Sequence, residues 1–129
     1  MIKPYKSNIE KETLKNKNYR KVLHTGKNIQ LVVMSLKSNE DIPFEVHKNH
    51  DQFIRVESGT AKAIAEGKKY LLKDGDVIII PAGVRHYVCN FSKIKPLKLY
   101  TLYAPPEHPS GTVHKTQADA LKYAEKHKD

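Results

Sequence analysis

Residues 75–90 read GDVIIIPAGVRHYVCN. Five residues separate Gly75 from Pro81, one separates Pro81 from Gly83, two separate Gly83 from His86, and three separate His86 from Asn90. Gly75 lies between Asp74 and Asp76, so the chain turns there. Val77 to Ile80 is an unbroken β-branched run and reads as a strand covered on both faces. Pro81 cannot donate to a ladder and Gly83 tolerates positive φ, so the two end that strand in a tight turn. A second strand follows, and period-2 alternation places His86, Val88 and Asn90 on one face. An imidazole at the start of a strand, aimed into a small β fold, can offer a nitrogen to a metal. Alone, it could equally be a core histidine bonded to a backbone carbonyl.

It is not alone. Upstream, residues 43–59 read PFEVHKNHDQFIRVESG. Glu45 and His47 are two apart on an expected strand and face the same way. Gln52 opens the next strand, on the face that alternation gives to Ile54 and Val56. A buried glutamine needs partners, and a metal or its bound water can be one.

Outward from these stretches the text is β throughout. Strands are expected at Arg20–His24, Ile29–Leu36, Phe44–His47 (opened by Pro43), Gln52–Glu57, Thr60–Glu66, Lys69–Leu72 and Leu97–Tyr103, with turn text between them. Residues 1–18 are polar, lysine-rich and weakly patterned, and read as an arm ordered only where it packs on the barrel or on a partner subunit. Residues 19–104 are the expected barrel, and 105–129 are a proline-rich tail loop followed by a short helix. Thr116 caps that helix, with Asp119 as an acidic near-match to a capping box, and Ala118, Leu121, Tyr123 and Ala124 supply its apolar side. Many short, evenly spaced strands with one terminal helix imply an all-β sandwich or closed barrel.

Composition sets the outer bounds. At 129 residues this is one domain with room for a real core. The single cysteine, Cys89, excludes an internal disulfide and a thiolate metal cage, and alternation turns it away from the His86 face. The formal charge of +9 comes from lysines spread along the whole chain, without an arginine cluster or a nucleic-acid fold pattern, so nucleic acid is not an expected partner. The start of the chain is polar, and neither a signal peptide nor a membrane span is expected; a cytoplasmic protein is the default.

The two stretches together resemble the cupins, small double-stranded β-helix (jelly-roll) proteins with two sequence motifs. Gly75, Pro81, Gly83, His86 and Asn90 occupy every fixed position of the second motif. The first motif normally carries His, His, Glu and Gly where this chain has Glu45, His47, Gln52 and Gly59. The run DQFIRVESG and the tail PPEHPSGTVHKT further resemble the small single-domain cupins called mannose-6-phosphate-isomerase-like, a label that says little about reaction. The resemblance implies an all-β jelly-roll barrel and metal ligands at Glu45, His47 and His86, with Gln52 as a weak or optional fourth. Two imidazoles and one carboxylate suit Zn, Mn, Fe, Ni or Cu.

The departures from the motif keep one carboxylate but move it across the site. His50 falls in the bend Lys48–Asp51 and reads as a pocket-rim residue, with direct ligation the alternative; His108 and His114 read as surface residues of the tail, with a lid or partner contact the alternative. Arg55 and Arg85 alternate away from the ligand positions, and of Tyr100 and Tyr103 at most one can reach the pocket.

Two functions stay open. One is a metal-dependent enzyme, isomerase/epimerase-like or dioxygenase-like, acting on a small polar molecule. The other is a non-catalytic small-molecule binding or sensing module. In both a homodimer is expected.

Overall fold

The run IQLVVMSL does not alternate, because both of its faces are covered. In the computed structural model, which describes residues 3–127, it forms the second of ten strands. In chain order a short helix α1 (Ile9–Lys15) is followed by β1 (Arg20–Thr25), β2 (Gln30–Leu36), β3 (Asp41–Glu45), β4 (Asp51–Ser58) and β5 (Ala61–Ala65). Then come β6 (Lys68–Leu72), β7 (Val77–Ile80), β8 (His86–Asn90), β9 (Leu97–Ala104), β10 (Val113–His114) and helix α2 (Gln117–Lys126). They build a six-stranded sheet, β10-β1-β2-β9-β4-β7, and a four-stranded sheet, β3-β8-β5-β6, antiparallel at every pairing. This is the cupin-type jelly roll that the sequence implies.

The inner faces follow from register. Val32 and Met34 of β2 pair with Thr101 and Leu99 of β9, which pair in turn with Ile54 and Val56 of β4, so these side chains share one layer. Opposite them stand Ile42, Ala61, Ala63 and Val88 of the smaller sheet, and the two layers form one buried cluster. Each of the valine, leucine, isoleucine and methionine side chains contributes roughly 1.5–3 kcal/mol on full burial. Strand β5 turns three alanines inward, and Ala65 lies directly across from His86. Short side chains there leave room for the imidazole.

Helix α1 covers the outer face of β2, β4 and β9, which explains why Val33 is buried although it points away from the core. Asn8 caps α1 by accepting from Lys11 N–H at 2.9 Å. The polar text of residues 1–18 reads as an arm, since its stretch 9–15 carries only Ile9, Thr13 and Leu14 as packing candidates, yet that stretch is a seven-residue helix.

Two further expectations are corrected. Strand β7 is not covered on both faces: it is the edge of the large sheet, and Val77 and Ile79 are exposed. An aliphatic run is the same text on an edge as in a sheet centre. Strand β3 begins at Asp41 and ends at Glu45, with Pro43 inside a register irregularity and His47 beyond the strand. Because β3 is an edge strand, the missing N–H of Pro43 breaks no ladder.

At the C-terminal end, Thr116 Oγ1 accepts from Asp119 N–H at 3.1 Å and caps α2. Ala120 is the buried anchor of that helix, whereas Leu121 is exposed, and Gln117 donates to Asp41 at 2.7 Å, fixing α2 beside β3. Among the described residues no helix is long and apolar enough to cross a membrane.

Candidate metal centre

Register brings the first two candidate ligands together. Glu45, the last residue of β3, lies directly opposite His86, the first of β8. His47 follows two residues later in the bend, and its carbonyl accepts from the Gly83 N–H at 2.9 Å. The Pro81–Gly83 turn therefore does more than end β7. It holds the backbone of His47, and Ala82 N–H adds a bond to Asp51 Oδ1 at 2.9 Å.

Three atoms converge. Glu45 Oε1 lies 3.1 Å from His47 Nε2 and 3.5 Å from His86 Nε2, and one ligand atom from each residue fits within a 4.8 Å circle of mutual distance. All three atoms are buried, and none has a hydrogen-bond partner. His86 Nδ1 lies 2.9 Å from the carbonyl of Val84, and donation there leaves Nε2 as a bare lone pair aimed at the carboxylate. Burial by itself would raise the Glu45 carboxyl; the imidazoles of His47 and His86 outweigh it and hold that carboxyl well below the usual range. Burial lowers His47, but Glu45 and Glu107 more than offset this and lift it above the ordinary imidazole value.

A carboxylate oxygen and two imidazole nitrogens that face one another in a buried space repel unless a proton or a metal cation sits between them. Ligands about 2.0–2.2 Å from a transition metal stand roughly 3.0–3.5 Å from each other, and the separations from Glu45 Oε1 lie in that range. The donor set, two imidazoles and a carboxylate, suits a divalent transition metal. The residues present fit the group.

Gln52 is buried on β4, where it pairs with Tyr103 of β9. Its Nε2 donates to Thr101 Oγ1 at 3.0 Å and Tyr103 OH at 3.2 Å, while Oε1 has no partner. Tyr103 packs edge-on against His47 with ring centroids 5.6 Å apart. So Tyr103 is the tyrosine that faces the interior, and Tyr100 stacks on Phe53 outside. Arg55 pairs with Glu57 and Arg85 lies over the Phe44 ring, both away from the convergent atoms.

His50 stands apart from that set. Its Nε2 lies 3.1 Å from Glu107 Oε1 and its Nδ1 2.6 Å from the carbonyl of Pro105, so both ring nitrogens are engaged. Glu107 reaches His47 Nδ1 at 3.6 Å through its other oxygen. No sequence argument singled out Glu107; its one signal was an acidic residue beside a histidine in a proline-rich loop.

Nor did any argument single out Gln30, which is fully buried and clamps that loop. It accepts from Glu107 and His108 N–H at 3.1 and 2.9 Å and donates to the His108 carbonyl at 2.7 Å.

The tail histidines are not surface residues. His114 is buried on β10, and its Nδ1 lies 3.3 Å from Arg20 Nη1. His108 packs against Tyr103 with a buried Nε2, and burial pushes its imidazole down to about 3. A cleft of about 650 Å³ opens between β3, the tail loop and α2, and Arg20, Glu45, His47, Glu107 and His108 are among its walls.

Residues 32–103 match the cupin domain family. The chain belongs to the cupin family. Protein L612 of Acanthamoeba polyphaga mimivirus is 48% identical to this cupin over 112 residues, 84% of this chain and 70% of that one. The crystal structure of BH2720 from Bacillus halodurans has a TM-score of 0.90 and 42% identity, covering 93% of this chain and 95% of that one. Quercetin 2,3-dioxygenase of Bacillus subtilis is 32% identical over 84 residues, 65% of this cupin but 25% of the dioxygenase.

Proposed function

We propose that this cupin holds one divalent transition metal through Glu45, His47 and His86, with Gln52 as an exchangeable fourth ligand, and acts as a metal-dependent enzyme on a small polar molecule. The observation that carries the reading is the convergence of Glu45 Oε1, His47 Nε2 and His86 Nε2, all buried and all without hydrogen bonds. A bound divalent ion would supply Lewis acidity toward a substrate oxygen and, if it is iron, reactivity toward O₂.

The residues around it have separable tasks. Val84 O orients His86, Glu107 orients His47, and Tyr103 with Thr101 fixes the amide of Gln52. Glu107, in the wall of the cleft and 3.1 Å from His50, can hold and exchange a proton there. Tyr103 stays a phenol, because burial raises its hydroxyl far above neutral pH. The cleft, walled on one side by α2, has room for a small molecule.

Between the two branches of chemistry, the similarity to quercetin 2,3-dioxygenase supports the oxygen-dependent one. The deciding experiment loads the protein with Fe(II) or Mn(II) and measures O₂ uptake across a panel of small phenolic and dicarbonyl compounds. Uptake that disappears in His86→Ala supports the dioxygenase branch. Turnover without O₂ moves the assignment to isomerase chemistry, and stabilisation by ligand without any turnover makes the protein a binding module. We further propose a homodimer, supported by the exposed apolar residues of edge strand β7.

A further inference from the structure

Arg20 opens β1, where it lies opposite Met34 of β2 on one side and His114 of β10 on the other. Met34 belongs to the core, so Arg20 projects toward the interior of the jelly roll. It is 8% exposed and forms part of the wall of the cleft that also contains Glu45 and His47.

A buried guanidinium is normally met by a carboxylate, since removing an unpaired charge from water costs several kcal/mol. Among the described residues no carboxylate lies within ion-pair distance of Arg20. Its polar contact is the 3.3 Å approach of Nη1 to His114 Nδ1, and Nε is buried with no partner. The Tyr19 ring, 5.4 Å from the guanidinium carbon, adds a π contact but no anion.

The acidic residues of the cleft are committed elsewhere. Glu45 faces His47 and His86, and Glu107 faces His50 and His47. Neither neutralises Arg20. Among the described residues the cleft thus holds a cation with no counter-charge at ion-pair distance, an arrangement that suits a ligand bringing its own.

We propose that Arg20 is the anchor for an oxyanion group, carboxylate or phosphate, of the small molecule that enters this cleft. The inference rests on the metal-site reading for the reacting end of the ligand and on Arg20 alone for its anionic end. Guanidinium N–H groups match the spacing of paired carboxylate or phosphate oxygens, and an ammonium in the same place would be a point charge without that match.

The test uses the full chain loaded with zinc and labelled with ¹⁵N. The sequence contains three arginines, Arg20, Arg55 and Arg85, so the arginine Nε–Hε spectrum has three signals, two of which are internal controls. Malonate, inorganic phosphate and the neutral malonamide are titrated in turn. The expected result is movement of the Arg20 signal with malonate or phosphate, no movement with malonamide, and unmoved Arg55 and Arg85 signals. Whichever anion binds more tightly names the group.

In parallel, Arg20→Gln should weaken that binding at least tenfold with zinc content unchanged, and Arg20→Lys should bind at an intermediate level. An unmoved Arg20 signal at saturating concentrations of both anions overturns the proposal, as does equal affinity in the wild type and Arg20→Gln. Should Arg20→Gln fail to fold, the wild-type spectrum still decides. If zinc does not bind at all, the metal reading fails by itself, and the same titration on the metal-free chain still reads Arg20.

Discussion

Gly83 donates its backbone N–H to the carbonyl of His47 at 2.9 Å, joining the turn after β7 to the bend after β3. That bond ties together the two stretches of sequence that carry the candidate ligands. Gly83 has φ of 88°, a left-handed conformation that side chains with a Cβ adopt at a cost of roughly 1–2 kcal/mol. A Cβ built there meets nothing within 4 Å, so the cost is conformational and not steric. Gly83→Ala keeps the N–H but strains the turn: it should fold, lose about 1–2 kcal/mol in urea denaturation, and bind metal more weakly because relief of that strain moves the N–H away from the His47 carbonyl. Loss of stability with unchanged metal affinity would separate the turn from the site.

Gln30 fixes the tail loop from inside the jelly roll through bonds to Glu107 and His108. Gln30→Leu keeps the bulk and removes those bonds. At about 1 kcal/mol per net hydrogen bond it should lower stability by about 2–3 kcal/mol. Glu107 would then no longer be held beside His47 and His50, so turnover should fall further than metal content. Measuring both on the same preparation checks this.

Metal binding should depend on pH with a definite sign. In the metal-free protein Glu45 and Glu107 outweigh burial and lift His47 above the ordinary imidazole value of about 6.5. A metal must displace that proton, so affinity is constant above the raised value and falls about tenfold per pH unit below it. Glu107→Gln removes one of the charges that lift His47, and the fall should then begin at lower pH. Competition against a chromophoric chelator across the range of about pH 5.5–8.5 reads the onset.

Strand β7 presents Val77 and Ile79 to solvent along a sheet edge. If that edge joins two copies, the double variant Val77→Lys, Ile79→Lys should sediment as a monomer with the fold intact, while the wild type sediments as a dimer. Deleting residues 1–15 should cost stability and leave the oligomer unchanged, because α1 packs on its own β2, β4 and β9. A monomeric wild type at micromolar concentration removes the dimer proposal.

Much of the smaller sheet was legible in the sequence. Strict period-2 alternation put His86, Val88 and Asn90 on one face, and all three are buried together. Glu45 and His47 were paired for the wrong local reason, since His47 lies in a bend and is held there by Gly83. Sequence periodicity cannot show such a contact, which spans two turns far apart in the chain. The same limit hid Arg20 beside His114, a pair that forms only when β10 closes the edge of the large sheet on β1. It also hid Glu107, whose position depends on the buried amide of Gln30. Local text failed in a different way at β7 and α1, where edge and centre, or arm and helix, are written with the same residues.

The central claim is that Glu45, His47 and His86 hold a metal. Elemental mass spectrometry on untagged protein, beside Glu45→Gln and His86→Ala, tests it most directly. The account expects close to one divalent transition metal per chain in the wild type and almost none in His86→Ala, with native-like circular dichroism in both. Glu45→Gln should retain less metal than the wild type. No metal in the wild type, none taken up on titration, and unchanged stability in His86→Ala would contradict it.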